Sequence, residues 1–265
     1  MRPPGSPAAP ETPQTGNSLD AARAAIAACE ACPRLRTYCT HIAREKRPTA
    51  YRNDTYWGRP VPGFGDPAAR LMLVGLAPAA HGANRTGRLF TGDVPGGASD
   101  FLMSALHACG MASLPTSRTG DDGLVLDGVY IASAVRCAPP DNKPLPSEVA
   151  RCTHHLDAEV AALPDVRVFV ALGRLAFAVI WPLLERRGLR PGARPVFEHG
   201  AAFRLDAGVH VVASYHPSRQ NTQTGRLTQP MLRSALRRAM RLAAPTSSSA
   251  GRRGPTGRRT RQPLP

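Results

Sequence analysis

Two pairs of cysteines, far apart in the chain, limit what this sequence can fold into more than any other feature. Cys29 and Cys32 form a CEAC pair near the N-terminus. Cys137 ends the apolar run IASAVRC, and Cys152 follows it across CAPPDNKPLPSEVARC. Close thiols fix one edge of a metal site, and the second pair, at a strand end and a helix start, can supply the other. An all-thiolate site of this kind holds zinc or an iron–sulfur cluster. The metal would then staple two distant parts of the fold together. Buried structural thiols are the plainer alternative, since free cysteine is commonly buried. Cys39 could compete with Cys32 as a ligand, and Cys109, late in an apolar helix, reads as packing.

The chain has 265 residues, enough for one domain of ordinary size plus tails. No apolar run is long enough to span a bilayer, and MRPPGSPAAPETPQTG lacks the apolar stretch of a signal peptide. A cytoplasmic, nucleoid-associated monomer with no membrane partner is the expectation, and reduced cytoplasmic thiols favour metal over disulfides. The net charge is +15, and only Lys46 and Lys143 among the basic residues are lysine. Such a balance points to an anionic partner, most often nucleic acid. Part of it lies in low-complexity sequence: AAPTSSSAGRRGPTGRRTRQPLP (243–265) carries five arginines between Arg252 and Arg261. Residues 1–18 and 243–265 read as disordered tails around a domain at 19–242.

Within the domain, short apolar runs alternate with helical patterns. Strands are predicted over 70–75, 129–135, 166–173 and 209–215. Helices are predicted over 21–28, from Ser99 or Asp100 toward Gly110, and over 147–163, 174–187 and 229–241. The fold class is therefore α/β, a three-layer sandwich whose central four-stranded parallel sheet is flanked by helices. Ligands of such sheets bind at the carboxyl ends of the strands. Three polar segments lie there: 75–93, 136–146 and 216–228. The first, GLAPAAHGANRTGRLFTGD, turns at Gly75 and Pro78 and carries His81, Asn84, Arg85, Arg88, Phe90 and Asp93. Neither GxGxxG nor GxxxxGK[ST] occurs, which removes the usual phosphate-binding loops. In the third, His216 sits at a strand end, and 219–226 offers amide, hydroxyl and arginine donors suited to a phosphate backbone.

The segments GLAPAAHGANRTGRLFTGD, AVRCAPPDNKP and YHPSRQNTQTGRLT, in that order, resemble the motifs of the family 5 (type B) uracil-DNA glycosylases. The resemblance covers about residues 20–242. The four-cysteine pattern is similar to that family and the related family 4, which hold a [4Fe–4S] cluster. It implies Cys29, Cys32, Cys137 and Cys152 as ligands of a largely structural cluster. It also implies hydrolysis of the N-glycosidic bond of a deaminated base, flipped out of double-stranded DNA to leave an abasic site. The implied substrates are uracil, and by the family's range hypoxanthine and xanthine. Phe90 matches the aromatic that stacks on the flipped base, and His216 the histidine that hydrogen-bonds the base oxygen. Gly75, Ala77, His81 and Ser133 complete the expected substrate-binding set. Ser218, Arg219, Gln220, Asn221, Thr224, Gly225 and Arg226 are the expected DNA contacts. Most relatives carry an acid in the turn after the first strand to position water. This chain has Leu76, so Asp93, with help from Asn84, is the expected replacement. Ser133 stands where some relatives have Asn, which loosens readout of the base edge. A non-catalytic iron–sulfur or zinc DNA-binding protein is the alternative. It would need the cysteines and the charge, but not Phe90, Asp93 and His216 together. A nucleotide- or nucleoside-processing enzyme would leave the charge unexplained.

Arginines displace counterions condensed on DNA. Deleting residues 245–265 should therefore weaken non-specific DNA binding and flatten its salt dependence. The single-turnover rate at saturating enzyme should hold. Titrations from low to high salt beside single-turnover assays check both.

Overall fold

The computed structural model describes residues 15–45, 48–92, 94–192 and 195–244. Two helices open the fold: α1, Thr15–Ala27, and α2, Pro33–Arg44. The sheet contains β1 (Phe64–Gly65), β2 (Leu71–Gly75), β3 (Val129–Ser133), β4 (Val168–Leu172), β5 (Ala202–Arg204) and β6 (His210–Ser214). Between and after the strands come α3 (Ala83–Thr86), α4 (Ala98–Ala108), α5 (Pro146–Ala162), α6 (Arg174–Arg186), α7 (Arg219–Gln223) and α8 (Gln229–Ala243).

The strand order is β1-β3-β2-β4-β6-β5. The inner four, β3-β2-β4-β6, are parallel, and β1 and β5 close the edges antiparallel. The expected α/β class and four-stranded parallel centre are found, within a sheet of six strands. The two extra strands are two and three residues long and half-buried to exposed. They lack the apolar run that marks a strand buried on both faces.

Alternation along the parallel strands builds the three layers. Leu71, Leu73, Val129, Ile131, Val168, Val170 and Val212 face α4 and α8. Met72, Val74, Tyr130, Phe169, Ala171, Val211 and Ala213 face the opposite layer, with Leu19, Leu156, Ile180 and Leu184 from α1, α5 and α6. Helix α8 buries Leu232, Ala235, Leu236, Ala239 and Ala243, the spacing of one helical face. Its start is capped by Thr228, whose side chain accepts from the Met231 N–H.

Three boundaries differ from the sequence expectation. Helix α1 starts at Thr15 rather than Ala21, inside the stretch expected to be a tail. Helix α4 starts at Ala98 with Gly97 at its cap position, not Ser99 or Asp100. Helix α2 was not anticipated, because its mean hydropathy is low and basic residues dominate it. Its signal was nevertheless present: Pro33 at the first helical position, and Leu35, Cys39, Ile42 and Ala43 buried at helical spacing.

A buried polar cluster ties α5 to β3 and to the segments after β3 and before β1. Glu159 of α5, fully buried, accepts from Arg136 Nη2 at 2.6 Å, Tyr130 Oη at 2.9 Å and Gly63 N at 2.8 Å. A side chain at Gly63 would collide with the Tyr130 ring and Glu159. Removing one partner of a buried ion pair strands the other charge, at a cost of about 3–5 kcal/mol. Glu159→Ala should lower stability by about that amount. Urea unfolding curves of the two proteins check it.

Candidate active site

The parallel order places the carboxyl ends of β2 and β3 side by side, with Gly75 opposite Ser133. The chain runs from β2 to β3 on one side and later returns to β4 on the other. Loops leaving such a switch point diverge and open a crevice. A pocket lies there, lined by Gly75, Ala77, Pro78, Ala79, Ala83, Leu89, Phe90, Thr91, Ala98, Ser133 and His216. The space between these residues, about 410 Å³ counted with the solvent at its mouth, is partly open.

Phe90 is held in an uncommon conformation. Its φ is 47°, in the left-handed region that a bulky residue avoids. Such strain persists only where the surroundings impose it. Ser99 Oγ donates to the Phe90 carbonyl. Next to it, Arg88 is fixed by Asp122 at 2.6 Å, Ser117 at 2.8 Å and Thr91 at 3.0 Å. Arg85 binds Asp54 and the Gly92 carbonyl, each at 2.7 Å, with its guanidinium 4.2 Å from the Tyr51 ring centre. These two arginines knit the loop. Gly75 completes the arrangement, because a Cβ there would lie 3.2 Å from the Phe90 ring.

His216 faces Phe90 with ring centres 5.9 Å apart and planes inclined by 32°. Its backbone carbonyl accepts from Asn221 Nδ2 at 2.8 Å. Beneath it, Gly173 has φ +100°, and a Cβ there would approach the His216 Cβ to 3.2 Å. Burial pushes the imidazole down to about 4, so it is neutral at pH 7 and carries one N–H. Ser133 is buried, and its hydroxyl donates to the Val135 carbonyl at 2.8 Å. Its lone pairs are then the part able to meet a ligand.

Of the residues expected at the site, Gly75, Ala77, Phe90, Ser133 and His216 come together in this pocket. Two others do not line it. His81 lies outside, with Nδ1 3.1 Å from Tyr56 Oη. Asn84 is buried and commits its amide nitrogen to the Cys39 and Ala80 carbonyls, at 3.3 and 3.4 Å. The nitrogen ties the loop to α2, while its Oδ1 is buried without a hydrogen-bond partner. Asp93 lies outside the described residues. In the expected DNA-contact segment, Ser218 caps α7, Thr224 Oγ1 bonds the Gln220 carbonyl at 2.7 Å, and Arg226 stacks 4.7 Å from the Tyr215 ring centre. Gly225 takes a positive φ at the end of that turn. Arg219 and Gln220 are exposed. Sequence reasoning missed Ala79, Ala83, Leu89, Thr91 and Ala98 as pocket lining; all but Ala98 lie within the 75–93 segment, where small and apolar side chains give no sign of facing a ligand.

Cys29, Cys32, Cys137 and Cys152 line a second cavity of about 260 Å³. They come from the α1–α2 turn, the segment after β3, and α5. Cys39 sits behind them, its Sγ 3.5 Å from the Ala138 carbonyl. Cys109 is remote, 3.9 Å from the Arg233 carbonyl in the α4–α8 seam. The Arg136 N–H donates to Cys152 Sγ at 3.3 Å, while burial pushes that thiol up to about 11. Among the described residues, no three His, Cys, Asp or Glu side chains converge at the spacing of a single metal ion.

The low imidazole value gives a signed expectation. Below about 6.5 the unfolded chain takes up a proton at His216 that the fold refuses until about 4. Wild type should therefore lose stability relative to His216→Ala as pH falls from about 6.5 to 4. The catalytic pH profile should show no break from this group near 6.5. Urea midpoints and single-turnover rates across that window check both.

The sequence model of the uracil DNA glycosylase superfamily matches residues 62–239. A type-5 uracil-DNA glycosylase of Thermus thermophilus is 54% identical over 211 residues, covering 80% of this chain and 92% of the relative. A type-5 enzyme of Pyrobaculum aerophilum is 47% identical, with 78% and 85% covered. One from Mycobacterium leprae is 46% identical, with 80% and 90% covered.

Proposed function

The chain belongs to the uracil-DNA glycosylase superfamily, on its type-5 branch, and on that premise we propose that it excises deaminated bases from double-stranded DNA. It is a hydrolase of N-glycosyl bonds. Uracil is its substrate, and we extend the range to hypoxanthine and xanthine. The protein works as a monomer at the nucleoid. The observation that carries this reading is the pairing of Phe90 and His216 on one pocket at the carboxyl edge of the sheet. No helix among the described residues is long and apolar enough to cross a membrane.

The target nucleotide is flipped out of the stack, which costs a few kcal/mol. Stacking on Phe90 returns about 1–3 kcal/mol, and phosphate attraction supplies the rest. As the glycosidic bond breaks, negative charge grows on the leaving base. The neutral His216 N–H donates to the base carbonyl oxygen where that charge collects, stabilising the transition state above the ground state. The sugar becomes oxocarbenium-like, by analogy with O-glycoside cleavage, and accepts a weakly activated water. No carboxylate lines the pocket among the described residues. Asp93, two positions past the pocket residue Thr91, is the carboxylate we assign to that water. The substrate range follows from Ser133. Uracil, hypoxanthine and xanthine share an N–H beside a carbonyl, which a serine acceptor and a histidine donor suit together.

We read the cysteine cavity as the site of a [4Fe–4S] cluster, as the family resemblance implies. Four sulfurs line it and no carboxylate does. Cys29, Cys32, Cys137 and Cys152 would hold the cluster, which stiffens the fold where α1, α2, α5 and the segment after β3 meet.

His216→Ala should slow single-turnover base release about 100- to 1,000-fold, with binding to an abasic-site duplex retained. Asp93→Asn should also slow it. If Asp93 merely capped a turn, Asn would replace it and the rate would hold. Alkaline cleavage of uracil-containing duplex measures both, and a near-wild-type rate for His216→Ala would undo the mechanism.

A further inference from the structure

The cysteine cavity has polar atoms in its wall that nothing in the fold satisfies. Arg136 is 1% exposed, and its Nη2 is committed to Glu159. Its Nε and Nη1 are buried with no partner. His155, one helical turn after Cys152 in α5, is 5% exposed, and its Nε2 is likewise buried with no partner. Both residues line the same cavity as the four cysteines. Buried polar atoms are nearly always paired, so three orphans around one cavity point to something that fills it. A guanidinium has only donors, so whatever satisfies Arg136 must be an acceptor.

The charges around the cavity agree. Arg36 and Arg136 stand in its wall, and Arg151 Nη1 donates to the Ala31 carbonyl beside Cys32 at 2.8 Å. No carboxylate lines the cavity to oppose them. Four thiolates around an iron–sulfur cluster leave a net negative charge, which cationic and N–H donor groups stabilise.

We propose that Arg136 and His155 are positioning residues for the cluster: Arg136 Nε and Nη1 and His155 Nε2 donate N–H···S hydrogen bonds to its sulfurs. This rests on the reading of the cavity as an iron–sulfur site. Arg136 also joins the cluster to the sheet through Glu159, and His155 joins it to α5. Such outer partners fix ligand geometry and set the reduction potential. Donors to sulfur stabilise the more negative, reduced state, so they raise that potential.

The experiment begins with anaerobically purified wild-type protein, assayed for iron, zinc and acid-labile sulfide. Protein with zinc or no metal overturns the cluster reading itself. Given about four irons per chain, His155→Phe keeps the ring and removes the donor. It should lose iron to an external chelator about 10- to 100-fold faster and have a more negative reduction potential. His155→Gln, which keeps an N–H, should recover part of both. Should His155→Phe not fold, Arg136→Lys answers the same question, because it preserves the charge facing Glu159 and removes the forked donors. Iron-loaded variants with wild-type release rates and potentials would overturn the proposal and leave the cluster reading standing.

Discussion

The buried contact between Arg136 and Glu159 is the joint on which the rest of the structure depends. It crosses from the segment after β3 to α5, at 2.6 Å between two side chains that are 1% and 0% exposed. The Glu159 carboxylate also holds the Tyr130 hydroxyl on β3 and the Gly63 N–H ahead of β1. The pair therefore sets where β3 ends and how the chain leaves it. Within five residues of that exit lie Ser133, which lines the catalytic pocket, and Cys137, which lines the cysteine cavity. A buried ion pair adds little net stability over an apolar replacement. Its value here lies in geometry, since three segments must agree on a single carboxylate.

The catalytic pocket depends on a second kind of fixation. On the proposed reading, the aromatic that stacks on the base must already be in place, because ordering it during binding would cost conformational entropy. Phe90 meets this need at the expense of local strain. The loop around it is sewn down by Arg85 and Arg88, Thr91 and Ser117 meet at 2.5 Å, and Ser99 holds the Phe90 carbonyl. Gly75 leaves the gap into which the ring fits. The loop has little regular secondary structure, yet its side chains make it a rigid part of the site.

The parallel strands and their helices were legible because strands buried on both faces are continuous apolar runs. The edge strands were not, being short and half-exposed. Among site residues, Gly75, Ala77, Phe90, Ser133 and His216 were legible from their positions at strand ends and from motif order. Asn84 misled in part, because an amide in a polar loop looks wholly available to a ligand, and only packing reveals that its nitrogen serves the Cys39 and Ala80 carbonyls and that only Oδ1 is left unpaired. His81 misled in the same way through its contact with Tyr56. Arg136 and His155 carried no sequence signal at all. A charged residue after a strand and a histidine in a helix look ordinary until both are found buried beside four sulfurs.

The same distinction reshapes the meaning of the net charge. A total of +15 suggests a surface coated in cations, but many arginines are already engaged. Arg34, Arg36, Arg85, Arg88, Arg136 and Arg187 each face a carboxylate, and several of them are structural. Helix α8 is different. Arg233, Arg237 and Arg241 recur along one side of it, around an open groove shared with Pro230 and Ser234, and the helix contains no acidic residue. Its N-terminus follows the His216 loop directly. Its C-terminus lies near the opposite edge of the sheet, where Arg70 Nε donates to the Ala243 carbonyl at 2.5 Å. Helix α8 thus adds a stripe of positive charge with no acidic residue along its length. Within the described residues it runs from the catalytic edge along α8, and the arginines at 252–261 follow it in sequence. These α8 arginines are distinct from Arg85 and Arg88, which are paired with Asp54 and Asp122 and hold the pocket loop.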